Sequence, residues 1–423
     1  MPLNVLDENP KLKLIAEKLL KARADGELLV QAGDTGFASA PSNIALLKYW
    51  GKVPGRRQIP VNSSLSLTLP GFRAFTTVTA VGRFFPLVGG CVQHLRERPS
   101  FLLTLNGEQQ IIPAKMEIFL KSLLSTFADD IALHVESENN FPTACGVASS
   151  AAGYAGIVAA VFNMLNLSRF LCLEEQQNWL SEWARLGSGS ATRSAVAMGW
   201  PLQSQFVAWE LDFESLNSST YQVQRKESFA ELQHCVLVLD SKEKKIGSSE
   251  GHALAQTSVL QEIRLAAYPQ RLSEMTRALA SGDFKKVAEL SELDAFEMHA
   301  VMATGATPLH YMSQQTALAI SKFICIRNKT SASMFWTLDA GANPHFVFLP
   351  SASSTLADFF AQLSLNPEFA QARCLIGATR LPGLMMGEDA KREALLRVNC
   401  GQELIRDLSL AEAVREFSLG GEP

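Results

Sequence analysis

The sequence predicts an α/β fold, built either as one large body or as two domains. A strand pattern at Ile131, Leu133 and Val135 runs directly into a loop of small residues and a long helix from Ser149. Hydrophobic residues alternate over residues 59–69, which is typical of antiparallel strands with one buried face. A chain of 423 residues with 47% hydrophobic content can bury the sizeable core that such a fold needs.

The elements of the first half follow from their hydrophobic periods. Apolar residues at helical spacing with lysines between them, from Lys11 to Arg23, predict an amphipathic surface helix packed on the body of the protein. A basic helix can also lie on a membrane, but this one is short and weakly charged. Strands are predicted at residues 40–52, 59–69 and 75–80. Residues 83–98 have no clear period and are predicted to be a hairpin tip or an insertion.

Helices and strands are mixed in the second half. Helices are predicted at residues 149–165, 174–186, 259–280, 284–303 and 311–327. Strands are predicted at residues 205–209, 235–239, 334–338 and 345–349. A boundary between two lobes is predicted near residues 216–228, where Asn, Ser, Thr and Gln are dense.

Composition and charge exclude several classes of protein. The net charge of -4 argues against nucleic-acid binding, which rests on clustered Lys and Arg. Seven cysteines are scattered without CxxC spacing, which fits reduced thiols in a cytosol and offers no zinc site. The sequence has no signal-peptide pattern and no run of about 18 uncharged apolar residues. We therefore expect a cytoplasmic protein with no membrane partner.

The run of small residues from Asn140 to Gly156 is the first candidate site. A helix N-terminus presents unpaired N–H groups and a partial positive charge, and Gly146 and Ala148 would let anion oxygens approach the main chain. Ser149 and Ser150 add hydroxyls for phosphate or a metal ion. The P-loop pattern GxxxxGK[ST] is absent, so a neutralising cation must come from elsewhere in the chain or from Mg²⁺. The same small residues would also suit a helix that packs tightly on a sheet.

Two cationic stretches could supply that charge or bind another part of a ligand. Lys48 and Lys52 flank aromatic residues after an apolar run, although they would also suit the solvated end of a strand. The loop 187–194 combines small residues and hydroxyls with Arg193, whose guanidinium suits a carboxylate in a two-pronged hydrogen bond. A plain flexible loop, or an arginine that caps a helix end, would give the same pattern.

An acid and a lysine pair complete the candidate residues. Asp339 lies between a strand and a glycine turn, where an aspartate commonly caps its own backbone. If its loop faces the same cleft as the phosphate loops, Asp339 becomes the candidate general base. Lys244 and Lys245 follow a strand, and they would either clamp phosphates or form an ordinary solvated loop.

Six short stretches that carry the candidate residues follow one another along residues 40–343. They are APSNIALLKYWGK (40–52), PVNSSLSLT (60–68), NNFPTACGVASSAAGY (139–154), RLGSGSATRS (185–194), EKK (243–245) and LDAGAN (338–343). Together they resemble the GHMP small-molecule kinase superfamily, and within it the diphosphomevalonate decarboxylases. One glycine-serine loop would be a weak signal, but six motifs in the order of the family are a specific one.

The resemblance implies an α/β (α+β), GHMP-kinase-like fold of two lobes, with an N-terminal lobe like domain 2 of ribosomal protein S5 and a ferredoxin-like C-terminal lobe. It divides the chain into an N-terminal extension with the amphipathic helix (1–36), an N-terminal lobe with the phosphate loop (37–225) and a C-terminal lobe (226–423). The implied reaction uses ATP and Mg²⁺ to convert mevalonate 5-diphosphate to isopentenyl diphosphate through phosphorylation of the 3-hydroxyl, often in a homodimer.

The resemblance also implies a role for individual residues. The implied catalytic residues are Asp339 near the 3-hydroxyl, Arg193 at the substrate carboxylate and Lys48 near the reacting centre. The implied substrate-binding residues are Tyr49, Lys52, Ser188, Ser190 and Arg193. The implied ATP-binding residues are Asn62, Ser63, Gly146, Ala148, Ser149, Ser150, Lys244 and Lys245, and Ser150 is the implied Mg²⁺ ligand.

Two departures from the family pattern concern the pocket for the 5-diphosphate. After Lys52 the family usually has a charged pair, where this chain has Val53-Pro54-Gly55. After Lys245 the family often has a Met or a basic residue, where this chain has residues 247–252. The altered loops would permit a decarboxylase of mevalonate 5-phosphate as an alternative. Two further alternatives are a mevalonate-type 3-kinase, which the presence of Lys48, Arg193 and Asp339 disfavours, and a non-catalytic binding relative, which has no need of a base such as Asp339.

Overall fold

A computed structural model describes most of the chain. The described residues are 9–83, 101–125, 131–142, 145–197, 204–212, 214–215, 217–240, 247–379, 383–391 and 404–419. The hairpin tip or insertion predicted beyond residue 83 lies outside these ranges, and so do Lys244 and Lys245.

Helices and strands account for much of the described chain. The helices are α1 (Pro10–Ala24), α2 (Ala114–Leu124), α3 (Ser149–Met164), α4 (Leu173–Gly187), α5 (Ala191–Val196), α6 (Ser248–Leu254), α7 (Gln261–Ser281), α8 (Phe284–Ala303), α9 (Gln314–Thr330), α10 (Ser353–Ser364) and α11 (Leu410–Ser418). The strands are β1 (Thr35–Leu47), β2 (Ser64–Arg83), β3 (Phe101–Leu105), β4 (Glu108–Gln110), β5 (Ile131–Asn139), β6 (Phe206–Leu211), β7 (Ser218–Gln222), β8 (Gln233–Val238), β9 (Met334–Thr337), β10 (His345–Phe348), β11 (Arg373–Gly377), β12 (Met385–Met386) and β13 (Ile405–Ser409).

The first sheet contains eight of the described strands. Their order is β12-β1-β2-β5-β3-β4, and β6 joins the start of β2 and carries β7 on its other side. The β3–β5 pair is parallel, whereas the other described pairs of this sheet are antiparallel. β1 ends at Leu47, so the motif that continues with Lys48 leaves the sheet at this point. Lys48 and the residues that follow it therefore lie beyond the end of β1 and not within a strand.

The structure corrects the number of strands predicted after residue 59. The sequence predicts two strands, but β2 is a single strand of 20 residues. Pro70 and Gly71 are typical of a turn, yet here they lie where the register between β1 and β2 shifts at Pro41 and Ser42. Such an irregularity absorbs a proline without ending the strand.

Helices α3, α4 and α1 form layers on one face of the first sheet. The core of this layer includes Ile15 and Leu19 of α1, Val158 of α3 and Trp179 of α4, all of which are buried. Asn9 caps α1 and also donates to Glu182 of α4 over 2.6 Å. The predicted amphipathic helix is thus confirmed, and it packs on the body of the protein.

The second sheet is antiparallel and comes from the other half of the chain. Its order is β13-β11-β8-β10-β9, and the predicted strands near residues 235, 334 and 345 are all present. The chain passes from β7 in the first sheet to β8 in the second, so the predicted boundary at 216–228 contains a strand. Residues 385–386 then return to the first sheet, where β12 pairs with β1. A cut at one sequence position therefore does not separate the two sheets.

The described residues contain no helix that is both long and apolar enough to cross a membrane. Five of the seven cysteines lie within the described ranges, and all five are free thiols: Cys145, Cys172, Cys235, Cys325 and Cys374.

The close packing of α3 on the first sheet gives a stability prediction. A Cβ added at Gly156 would lie 2.6 Å from Oγ1 of Thr76, which is held by Ser137, whereas a Cβ at Gly153 would meet nothing within 4 Å. We expect Gly156→Ala to lower the free energy of unfolding by about 1–3 kcal/mol because it overpacks this contact. We expect Gly153→Ala on the same helix to raise it by about 0.5–1 kcal/mol, since alanine favours helix.

Urea unfolding of the two variants beside the parent protein measures both effects. Equal stability of the two variants would show that α3 does not approach β2 this closely.

Candidate active site

Four of the predicted stretches meet at one cavity of about 250 Å³. They are the end of β1, the loop before α3, the connection from α4 to α5, and the turn after β9. The first three belong to the first sheet and its helices, whereas the last belongs to the second sheet. The cavity therefore lies where the two halves of the chain face each other, and residues far apart in sequence line it together.

The loop before α3 has the geometry of an anion site. Gly146 has a φ of +90°, a conformation that glycine adopts readily, and α3 begins at Ser149 with no side chain capping its first turn. Ser149 and Ser150 both line the cavity, as do Gly146 and Ala148. Nε2 of His345 hydrogen-bonds the carbonyl oxygen of Gly146 over 3.3 Å, so the second sheet supports this loop. All four residues predicted here face the same space.

The connection from α4 to α5 places its hydroxyls beside that loop. Oγ of Ser188 lies 3.2 Å from Oγ of Ser150 and 3.4 Å from Oγ of Ser190. The sequence predicts a loop through residue 194, but Ala191–Val196 is a short, fully buried helix. Six residues are too few for a helical period to be visible, so the glycines and serines dominated the prediction.

Arg193 lies on this short helix and is 2% exposed. Its guanidinium donates to Oγ of Ser64 over 2.5 Å and to Oδ1 of Asn43 over 3.3 Å. Its buried Nε has no hydrogen-bond partner among the described residues. Burial lowers the pKa of Arg193, while the nearby Tyr49 and Asp339 oppose that shift. A guanidinium that is held in position and keeps an unused N–H donor is suited to bind a planar carboxylate.

Lys48 and Asp339 form an ion pair between the two halves of the chain. Nζ of Lys48 lies 2.6 Å from Oδ1 of Asp339 and also donates to the carbonyl oxygen of Ala45 over 2.6 Å. The lysine is 2% exposed, whereas the side chain of Asp339 is 33% exposed and lines the cavity. The carboxylate therefore has one side fixed by a buried cation and another side open to a ligand.

His299 fixes the position of the Asp339 backbone, although its sequence context predicts only an ordinary helix residue. Its Nε2 donates to the carbonyl oxygen of Asp339 over 3.1 Å, because a carbonyl only accepts. Burial lowers the pKa of His299 to about 4, and the charge of Lys48 also lowers it. His299 is therefore neutral near pH 7. It lies on α8 at an ordinary helical position, so nothing in the local sequence marks it.

A buried network holds the main chain of Lys48. Oδ2 of Asp294 accepts from the N–H of Lys48 over 2.7 Å. The carbonyl oxygen of Lys48 accepts from the hydroxyl of Tyr268 over 2.5 Å and from Nη2 of Arg264 over 2.7 Å. These three side chains come from α7 and α8, and the sequence gives no signal for contacts of such long range.

Asn62 and Ser63, for which the family resemblance implies ATP binding, are not among the residues that line this cavity. Asn62 accepts from the N–H of Trp50 over 3.3 Å and donates to the carbonyl oxygen of Lys48 over 3.2 Å. Oγ of Ser63 accepts from the N–H of Leu211 over 3.0 Å. Both side chains are buried and join strand ends, so the motif that contains them positions the neighbouring residues.

Three cations, Lys52, Lys115 and Arg57, lie close together, and the first two of them line the cavity. Burial lowers the pKa of Lys52 to about 8, and the charge of Lys115 lowers it further. Partial burial and the charge of Arg57 lower the pKa of Lys115, which lies in the first turn of α2, where the helix dipole also disfavours a cation. No carboxylate of the described residues forms an ion pair with these three side chains. Such a cluster gains free energy when a multiply charged anion binds.

Family comparisons match most of the chain. Residues 40–220 match the "Diphosphomevalonate decarboxylase-like N-terminal domain", and residues 234–391 match the "Mevalonate 5-diphosphate decarboxylase C-terminal domain". The diphosphomevalonate decarboxylase of Schizosaccharomyces pombe is 32% identical over 350 residues, which cover 78% of this chain and 82% of that protein. The diphosphomevalonate decarboxylase of Bos taurus is 32% identical over 376 residues, covering 83% of this chain and 85% of that protein.

Solved structures share the fold described above. The mevalonate diphosphate decarboxylase from Enterococcus faecalis superposes with a TM-score of 0.69 at 29% identity, covering 84% of this chain and all of the other. A structure described as MDDEF in complex with MVAPP, AMPPCP and magnesium also gives a TM-score of 0.69, at 28% identity and the same coverage.

The lowered pKa of Lys52 predicts how anion binding depends on pH. Lys52 is charged below about pH 8 and loses its charge as the pH rises further, so its contribution to binding an anion is lost in the alkaline range. We expect the affinity for inorganic pyrophosphate, measured by calorimetry, to fall by about tenfold from pH 7 to pH 9 relative to Lys52→Arg, whose guanidinium stays charged.

The ratio of the two affinities removes the titration of pyrophosphate itself, which is common to both proteins. A ratio that stays constant from pH 6 to pH 9 would show that Lys52 does not touch the anion.

Proposed function

Because this chain belongs to the diphosphomevalonate decarboxylase family, we propose that it catalyses the ATP-dependent decarboxylation of mevalonate 5-diphosphate to isopentenyl diphosphate. ADP, phosphate and carbon dioxide are the other products. The observation that supports this most directly is the meeting of Lys48, Asp339 and Arg193 with the loop before α3 at one cavity. A base, a carboxylate-binding cation and a phosphate cradle are the parts that this reaction requires.

The first step is transfer of the γ-phosphate of ATP to the tertiary 3-hydroxyl. Asp339 accepts the proton of the hydroxyl as its oxygen attacks phosphorus and the bond from phosphorus to ADP breaks. The ion pair with Lys48 and the hydrogen bond from His299 to its backbone hold the aspartate in place. The exposed part of its carboxylate is the part available to the hydroxyl.

The second step removes phosphate and carbon dioxide together. The C–O bond to the new phosphate breaks, the carboxylate leaves as carbon dioxide, and the electron pair of that C–C bond becomes the alkene. A tertiary alcohol is a poor leaving group, whereas its phosphate ester is a good one. Arg193 orients the departing carboxylate from its buried position, and Ser188 and Ser190 bind the substrate beside it.

The loop before α3 is the proposed nucleotide site. Gly146, Ala148, Ser149 and Ser150 bring N–H groups and hydroxyls to the phosphates. No group of three or more His, Cys, Asp or Glu within the described ranges is placed to hold a metal ion. Mg²⁺ prefers oxygen ligands and usually takes few of them from protein, so the hydroxyl of Ser150 together with nucleotide phosphates suits it. When bound, the ion supplies positive charge to the transferred phosphate.

Lys52 and Tyr49 also line the cavity, and the ligand proposed for them is the 5-diphosphate. The cluster of Lys52, Lys115 and Arg57 favours the more highly charged diphosphate over the monophosphate. A homodimer and a cytoplasmic location belong to the same proposal, because the resemblance implies the first and the scattered cysteines favour the second.

A substrate panel tests the proposed reaction. Purified protein is incubated with ATP, Mg²⁺ and one of mevalonate, mevalonate 5-phosphate or mevalonate 5-diphosphate, and ADP, phosphate and carbon dioxide are followed. We expect all three products with the diphosphate alone. ADP without carbon dioxide would identify a 3-kinase, and turnover of the monophosphate would identify the monophosphate decarboxylase. No turnover with any substrate would favour a binding protein.

The role of Asp339 as base gives a second prediction. Asp339→Asn keeps the size of the side chain but removes the proton acceptor, so we expect kcat to fall by about 10²- to 10⁴-fold. ATP affinity, measured by calorimetry, should stay nearly unchanged because the nucleotide binds at the loop before α3. Asp358→Asn on the exposed face of α10 is the matched control and should turn over like the parent. Full activity in Asp339→Asn would exclude this residue as the base.

A further inference from the structure

His252 lies in the wall of the cavity, and no step of the reaction derived above uses it. It is on α6 and is buried, with its ring stacked on Tyr49 at 4.6 Å between centroids and tilted against Trp50 at 4.4 Å. Both aromatic residues belong to the segment between β1 and Lys52. The imidazole is therefore fixed by two neighbours before any ligand binds.

A single hydrogen bond determines which nitrogen of His252 carries the proton. The N–H of Gly51 donates to Nδ1 over 2.9 Å, so Nδ1 must be the acceptor. The neutral ring then carries its hydrogen on Nε2. Burial lowers the pKa of His252 well below 6.5, and the charges of Lys52 and Arg264 act in the same direction. The ring is consequently a neutral donor through Nε2 at physiological pH.

Nε2 is the side of the ring that is available to a ligand. Within the described residues, Nε2 has no hydrogen-bond partner. It is also not one of the fully buried polar atoms that lack a partner, so this nitrogen is accessible. His252 lines the cavity together with Lys52 and Lys115. The N–H group at Nε2 of His252 is therefore a donor of fixed direction in the cavity that Lys52 and Lys115 also line.

We propose that Nε2–H of His252 donates a hydrogen bond to the terminal phosphate of the substrate diphosphate, and so helps to distinguish a diphosphate from a monophosphate. This inference rests on the proposed function, because it assigns the diphosphate to the end of the cavity at Lys52. A neutral donor suits this place, since a further cation beside Lys52 and Lys115 would depress their pKa values and weaken their own hold on the anion. The stacked ring loses little conformational freedom on binding.

Two isosteric substitutions separate the proposed role from a purely structural one. Asparagine at position 252 can keep an acceptor near the position of Nδ1 but has no donor at that of Nε2. Glutamine can keep a donor near the position of Nε2 but loses the bond from Gly51. Ala253→Gln, on the exposed side of the same helix, is the control. Binding of mevalonate 5-diphosphate and of mevalonate 5-phosphate is measured by calorimetry without ATP.

We expect His252→Asn to weaken binding of the diphosphate by about tenfold or more, as is typical for loss of a hydrogen bond to a charged group. Its affinity for the monophosphate should change less than about threefold. His252→Gln and Ala253→Gln should bind both ligands within about threefold of the parent. Wild-type affinity in His252→Asn would overturn the inference, and so would equal losses for both ligands in both position-252 variants, because these indicate a stacking role.

A parent protein that binds neither ligand would overturn the proposed function together with this inference, whereas the outcomes above leave the proposed function intact. A second measurement covers variants that fail to fold. The ¹⁵N resonance of Nε2 of His252 in the parent protein should shift when the diphosphate is added and much less with the monophosphate. An unchanged resonance at saturating diphosphate would contradict the hydrogen bond.

Discussion

The rest of the site depends on one hydrogen bond, in which the buried carboxylate of Asp294 accepts from the main-chain N–H of Lys48. Asp294 is fully buried, and it binds the N–H of Lys48 while pairing with Arg264 and Arg271 at 3.1 and 2.9 Å. Lys48 stands just past β1 in the first sheet, whereas Asp294 lies on α8 in the other half of the chain. A buried carboxylate that lost its partners would be strongly destabilising, so this network fixes how the two halves meet. The ion pair of Lys48 with Asp339 depends on that arrangement.

Charge around the cavity is distributed so that cations are fixed and histidines stay neutral. Arg193 and Lys48 are buried near the proposed reacting centre, and Lys52 lines the same cavity. Burial lowers the pKa of His299 to about 4 and that of His345 to about 3, so both contribute directional hydrogen bonds without adding charge. The resulting excess of positive charge is what a substrate with a carboxylate and a diphosphate would neutralise.

Local signals made much of this site predictable. A loop of small residues before a long helix indicates Gly146 to Ser150, and a loop of hydroxyls with Arg193 indicates the second stretch. Both patterns consist of consecutive residues, so they are visible in the sequence alone. The continuity of β2 through Pro70 was missed because it depends on the register of its neighbour. The surroundings of Asn62 are hidden from its local motif for a related reason, because its hydrogen bonds go to the main chain of Lys48 and Trp50.

Residues that act across the two halves had no local signal at all. Asp294 and His299 lie on a helix with an ordinary period, and only the packing of distant elements brings them to the main chain of Lys48 and Asp339. The family resemblance supplied Asp339 and Lys48 as partners in one site, which spacing alone leaves open. Sequence patterns therefore predict what a segment can bind, while the fold decides which segments bind together.

The short strand β12 affects the order in which the protein can be completed. It covers one edge of β1 at Ala38 and Ser39, although it is separated from β1 by nearly the whole chain. During synthesis on the ribosome, this stretch of edge stays open to other strands until the late residues emerge, which is a hazard for aggregation. The nascent N-terminal half is therefore a candidate client for chaperones, and an expressed fragment that ends before residue 385 would carry the same unprotected edge.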